Sequence, residues 1–238
     1  MDKLIKKICD DVLKKYQQDK NILGIMLFGS ATRNKFDEYS DVDIYVLEKN
    51  KSKQSRYNFL NNGYRVDIIL DSLKEVNSYL KKDKRNIKRI TSHMLAYGKI
   101  IFQRDNILQK IQNCAINNLK SKTKHNNEEI LMHKYSIDDF WGEVQRDIKN
   151  KDYLAFGIDS YLLINNIIEL IVKLNGKFLR QPNEITKLLD EIDKNFGGQI
   201  QKFYKISKIE EKEKILANLV KYSYKKSGGM LPPEWSIK

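Results

Sequence analysis

Cysteine is scarce in this chain, and its scarcity excludes two architectures at once. The two cysteines, Cys9 and Cys114, are too few for a disulfide framework and too far apart in sequence for a metal knuckle. Both fall within apolar helical patterns, where they are expected as small buried hydrophobes. Histidine is almost as rare: His93, His125 and His133 show no ligand-like spacing to one another or to the cysteines, so no zinc site is expected. No uninterrupted apolar run is long enough to cross a bilayer. Asp2, Lys3, Lys6 and Lys7 break the N-terminal segment, and the most apolar later stretch, residues 161–174, contains Asn165, Asn166, Glu169 and Lys173. A soluble cytoplasmic protein without a membrane partner is therefore expected. Internal repeats and low-complexity tracts are also missing from the sequence.

Negative charge is in deficit. There are 44 Lys+Arg against 31 Asp+Glu, a net charge of +13, and the excess is N-terminal: 24 against 14 in residues 1–120, but 20 against 17 beyond. Much of it lies in residues 81–89, Lys-Lys-Asp-Lys-Arg-Asn-Ile-Lys-Arg. That run could bind phosphates, although a solvated lysine-rich helix face is the commoner origin of such a pattern.

What is present is a 41% hydrophobic content in a 238-residue chain, ample for one large core or two smaller ones. Leu4, Ile5, Ile8, Val12, Leu13 and Tyr16 form one stripe at helical spacing. Residues 22–28 are a continuous apolar run that reads as a buried strand ending at Gly29-Ser30. A ten-residue polar spacer leads to a second strand at 42–47, then residues 49–56 read as a charged loop. Asn61-Asn62-Gly63 marks a turn opening a third strand, 64–70; a helix-rich stretch, 72–96, precedes a fourth strand at 99–102. Beyond about residue 106 helical periodicity dominates, with long helices expected over 128–149 and 152–174. The fold class is α+β: a small mixed sheet flanked by helices in residues 1–115, then an all-helical domain in residues 116–238.

Asp41-Val42-Asp43 opens the second strand. Alternation along a strand sends both carboxylates to one side and Val42 to the other, which suits a hard divalent cation with oxygen ligands. Asp67 stands alone inside the apolar segment 64–70, where an isolated acid is costly unless paired or metal-bound. Together the three could hold two metal ions roughly 3.5–4 Å apart. Gly29 lets a phosphate approach the backbone, and the Ser30 hydroxyl can hydrogen-bond its oxygens. Arg33 and Lys35, in the polar spacer, are placed to neutralise a departing anion.

The joint pattern, Phe28-Gly29-Ser30, then Tyr39-Ser40-Asp41-Val42-Asp43-Ile44, then Val66-Asp67-Ile68, resembles the signature of the DNA polymerase β-like nucleotidyltransferase superfamily. The resemblance covers roughly residues 20 to 70. It implies an NTP substrate, with ATP expected; Asp41 and Asp43 as ligands of Mg²⁺, two ions in all; Asp67 as a further ligand or the base; and nucleotide contacts from Gly29, Ser30, Arg33, Lys35 and Ser40. A looser similarity of architecture, to the antibiotic nucleotidyltransferases, implies a hydroxyl acceptor on an aminoglycoside or lincosamide, in the cleft between the domains. It also implies a helical-domain carboxylate as base, Glu143 or Asp139. Transfer to RNA or protein, and a catalytically silent nucleotide-binding regulator, are the alternatives. Monomer and homodimer both remain open.

Overall fold

The computed structural model describes residues 3–33, 36–50 and 55–237, which divide into two compact units: Met1–Arg85 with Arg89–Ser121, and Asn86–Lys88 with Lys122–Lys238.

In the first unit, α1 (Lys3–Tyr16) carries the apolar stripe, and β1 (Ile22–Phe28) follows. The sheet is completed by β2 (Val42–Glu48), β3 (Arg56–Asn61), β4 (Tyr64–Ser72) and β5 (Lys99–Gln103), in the order β3-β4-β2-β1-β5. Only β2 and β4 run parallel among these neighbours, so the sheet is mixed. Alternation divides the core between its two faces. Ile44 and Val46 pack with Ile5, Ile8 and Val12 of α1, whereas Tyr45 and Leu47 pack with Val76, Leu80, Leu95 and Leu108 from helices on the opposite face.

Strand β3 replaces the loop expected up to Arg56. It is an edge strand with alternating exposure, so its Tyr57 and Phe59 half-bury while the residues between them face water. Asn62 (φ 50°) and Gly63 (φ 82°) close the β3–β4 hairpin, a two-residue turn that needs positive φ at both positions.

The helix-rich stretch after β4 is two helices, α2 (Leu73–Asp83) and α3 (Ile90–Ala96). Ser72 and Glu75 form a capping box that starts α2. Its end is set by Asp83, buried, which accepts from Ser92 N at 2.6 Å, and by Arg89. The Arg89 side chain is 1% exposed, and its guanidinium donates to the carbonyls of Asn118 and Ser121 at the end of α4 (Ile107–Lys120). The basic run is therefore not one solvated helix face. Lys81, Lys82, Lys84 and Arg85 are exposed, but Arg89 is a structural cross-link. Cys9 is buried as expected; Cys114 is exposed, because the inward face of α4 is Leu108, Ile111 and Ala115.

The second unit is helical. α5 (Asn127–Asn150) pairs with α6 (Tyr153–Leu174), and α7 (Ile185–Ile192), α8 (Lys194–Lys205) and α9 (Ile209–Lys226) complete one core. Asn126 and Asp152 cap α5 and α6 through their side-chain oxygens. α6 is long and apolar enough to cross a membrane by length and composition, yet Leu163, Ile164, Ile167, Leu170 and Ile171 form the centre of this core. Along α5 and α6, Phe156 is buried, Phe140 and Trp141 pack partly against the core, and Tyr153 is exposed. After α9 the chain turns at Gly228 and Gly229, and the ring of Trp235 lies 5.4 Å from that of Tyr135.

Candidate active site

β1 ends where β2 and β4 begin, and this corner collects the motif. In the register, Phe28 pairs with Asp43 across β1 and β2, and Asp43 pairs with Asp67 across β2 and β4. Strand alternation puts Asp43 and Asp67 on the face that carries Tyr45 and Ile69, and Asp41 immediately precedes β2. Two carboxylates on adjacent strands at the same level repel each other unless a cation intervenes.

Asp43 records that repulsion. Burial, then the charges of Asp67 and Asp41, push its carboxyl up from 3.8 to about 6, against a smaller lowering from Arg56. Hard oxygen donors whose negative charge is under-compensated match a site for Mg²⁺, so the residues present fit the cation the motif implies. Among the described residues, no three His, Cys, Asp or Glu side chains are already grouped around one metal position. Both oxygens of Asp67 are instead engaged by Arg56, Nε donating to Oδ1 at 2.9 Å and Nη2 to Oδ2. Asp67 is 4% exposed, and its partner's side chain is 64% exposed.

Arg56 is the site residue that the sequence concealed. Asn58 faces Asp67 in the hairpin, so Arg56, two residues further along the same face of β3, meets Asp67 diagonally. The available signal was the Asn62-Gly63 turn, which demands a preceding strand in register with residues 64–69.

Gly29 shapes the other wall. It has φ 73°, and a Cβ there would stand 2.0 Å from Asp43 Oδ2 and 3.0 Å from its Cγ. The carboxylate thus occupies the space that any other residue's side chain would fill. Gly29–Thr32 coils into one 3₁₀ turn, held by Thr32 Oγ1 donating to Gly29 O at 3.0 Å and Arg33 N donating to Ser30 O at 3.1 Å. Ser30 is half-buried within it.

Arg33 lies with its guanidinium carbon 4.9 Å from the centroid of the Tyr97 ring. Lys35 lies outside the described residues. Ser40 Oγ donates to Asp37 Oδ1 at 2.8 Å and accepts from Asp37 N at 3.1 Å, closing the loop ahead of Asp41. In the helical unit, Glu143 accepts from Arg146 Nη1 at 2.5 Å, one turn along α5, and Asp139 is exposed.

Comparison with known proteins bears on this arrangement. Residues 10–107 match the family model described as polymerase β nucleotidyltransferase. The "putative protein adenylyltransferase" of Methanocaldococcus jannaschii is 31% identical over 117 residues, 44% of this chain and 76% of that one. A solved nucleotidyltransferase-like protein from Exiguobacterium sibiricum superposes with a TM-score of 0.55 over 94% of this chain and 77% of its own. At 14% identity that likeness concerns the fold alone.

Proposed function

The chain belongs to the polymerase β nucleotidyltransferase family, and from that premise we propose that it moves AMP from Mg²⁺-bound ATP to a hydroxyl of an aminoglycoside or lincosamide, releasing pyrophosphate. The observation that carries this reading is the pairing of Asp43 with Asp67 across parallel strands, with Gly29 leaving room for the Asp43 carboxylate.

In the reaction the acceptor oxygen forms a bond to the α-phosphorus as the bond from that phosphorus to the bridging oxygen breaks; the hydroxyl proton passes to a carboxylate. Asp41 and Asp43 hold the cation, with Asp67 joining them or serving as proton acceptor. When bound, Mg²⁺ neutralises phosphate charge and supplies Lewis acidity. Gly29 admits the triphosphate close to the backbone, and Ser30 donates to its oxygens. Arg33 and Lys35 stabilise negative charge on the leaving pyrophosphate, and Ser40 holds the loop that delivers Asp41. Arg56 donates to both oxygens of Asp67, so this ion pair competes with the cation for that carboxylate. Glu143 is the alternative base, its carboxylate paired with Arg146 on the same helix.

A second acceptor reading, a hydroxyl on a protein, is favoured by the similarity to the M. jannaschii "putative protein adenylyltransferase". One experiment separates the two. The protein is incubated with ATP labelled on the α-phosphate, a panel of aminoglycosides and lincosamides, and a total protein extract. Label in a small product supports the proposal; label confined to protein overturns it in favour of the second reading; label nowhere overturns both. Transfer to RNA would show itself by a steep fall in affinity for RNA with salt.

A further inference from the structure

Both flanks of β1 bear on the Gly29 turn. Asp43 reaches it from β2 on one side; on the other runs β5, whose Lys99 pairs with Leu27. Gly29 lies two residues beyond Leu27, and Tyr97 two residues before Lys99. The antiparallel register therefore brings both to the same end of the sheet. With neighbouring strands about 4.8 Å apart, the Tyr97 corner lies roughly 10 Å from the strand of Asp43, across the turn.

Tyr97 stands on a braced corner between α3 and β5. Gln112 of α4 donates from its side-chain amide to the carbonyl oxygens of Leu95 at 3.1 Å and Gly98 at 2.7 Å, tying the helix end to the strand start. Gly98 packs so closely on β1 that a Cβ there would stand 2.2 Å from Met26 Sδ and 3.3 Å from Leu27 O. The half-exposed Tyr97 ring is flanked by His93, one turn earlier along α3, with the centroids 5.4 Å apart.

Arg33 enters from the opposite direction, at the end of the 3₁₀ turn. Its guanidinium carbon, 4.9 Å from the Tyr97 centroid, is within the range of a cation–π contact. Such stacking engages the face of the guanidinium and leaves the N–H groups in its plane to meet an anion edge-on. An arginine that must meet phosphates in one geometry gains from being held in it beforehand, because less rotamer freedom is lost on binding.

We propose that Tyr97 is a positioning residue: its ring, fixed by the Gln112 and Gly98 corner, holds the Arg33 guanidinium where it meets the pyrophosphate portion of the nucleotide. This rests on the role given to Arg33 above. With His93 and Arg33 both against it, the ring serves the phosphates and not the base.

Calorimetry of inorganic pyrophosphate, with Mg²⁺ and the full chain, tests this without requiring turnover. Each variant is first shown to be folded by its melting curve. Arg33→Ala is expected to weaken binding about 10- to 100-fold and Tyr97→Leu about three- to tenfold. Tyr97→Phe keeps the ring face and is expected to restore affinity to within about twofold of the wild type. The double variant decides between positioning and mere packing. Because the ring acts only through the guanidinium, Arg33→Ala with Tyr97→Leu should bind no more weakly than Arg33→Ala alone. The proposal is overturned if the wild type shows no saturable binding, if either single substitution is silent, if Tyr97→Phe fails to rescue, or if the two losses add. A Tyr97→Leu protein that loses affinity for ATP but not for pyrophosphate also overturns it, assigning the ring to the base. Label transfer from ATP by the wild type, measured separately, shows whether the nucleotidyl-transfer reading stands when this proposal falls.

Discussion

Gly29→Ala is the substitution whose consequence follows most directly from the geometry. Two effects act at once. An alanine at φ 73° sits in the left-handed region at a cost of about 1–2 kcal/mol. The new methyl would also lie 2.0 Å from Asp43 Oδ2, so the carboxylate must retreat by about 1 Å to reach a distance that real Cβ contacts show. A shift of that size at a reacting centre costs roughly 10²-fold in rate. Gly63 separates the two effects: its φ is 82°, but a Cβ there meets nothing within 4 Å. Gly63→Ala should therefore lower the melting temperature by a few degrees, about 2–4 °C per kcal/mol, and leave turnover intact. Gly29→Ala should show at least that loss of stability and, in addition, the roughly 10²-fold loss of pyrophosphate release. Wild-type turnover in folded Gly29→Ala protein would refute the placement of Asp43 against the Gly29 turn.

Three further outcomes are expected. Because the Asp43 carboxyl is raised to about 6 in the fold, above the value of 3.8 it has when unperturbed, its contribution to stability is fully present below about pH 4 and is lost as pH rises through 6. Thermal melts of chelator-treated protein should lose stability across that window, and Asp43→Asn should flatten the loss; an unchanged slope in the variant would show that another group titrates there. Arg56→Ala removes the cation that engages both oxygens of Asp67. Its melting temperature in chelator should fall, and Mn²⁺ should raise it by more than in the wild type; a smaller Mn²⁺ effect would contradict competition between Arg56 and metal. Glu143→Gln decides the base. If Glu143 accepts the proton, kcat falls by about 10²–10⁴-fold while ATP binding persists; an unchanged kcat leaves that role to Asp67 or Asp139.

Much of this arrangement is legible in the sequence because burial on both sides of a sheet leaves an apolar run. Strands β1, β2 and β4 announce themselves in that way, β5 at the other edge of the sheet does so by its short apolar run 100–102, and Asp43 and Asp67 stand out because each interrupts an apolar run. Strand β3 does not, since an edge strand alternates with water and its Asn58 and Arg56 look like loop residues. With β3 hidden, the ion pair that occupies Asp67 was hidden too. The division of residues 72–96 into two helices was equally opaque. It depends on where the Arg89 guanidinium finds carbonyls, some thirty residues away in Asn118 and Ser121, and no local propensity encodes that. Cys114 shows the same limit on a smaller scale: it shares a helix with apolar residues but lies off their face. The raised pKa of Asp43 arises from burial beside Asp67 and Asp41, which becomes visible only once the parallel register of β2 and β4 is known.

The central claim is that the carboxylates at the start of β2 carry the chemistry. It is tested most directly by measuring pyrophosphate release from ATP, with an acceptor that the wild type uses, in Asp41→Asn and Asp43→Asn proteins whose melting curves show them folded. Turnover is expected to fall to the background of an enzyme-free control in both. Wild-type turnover in either variant would contradict the account.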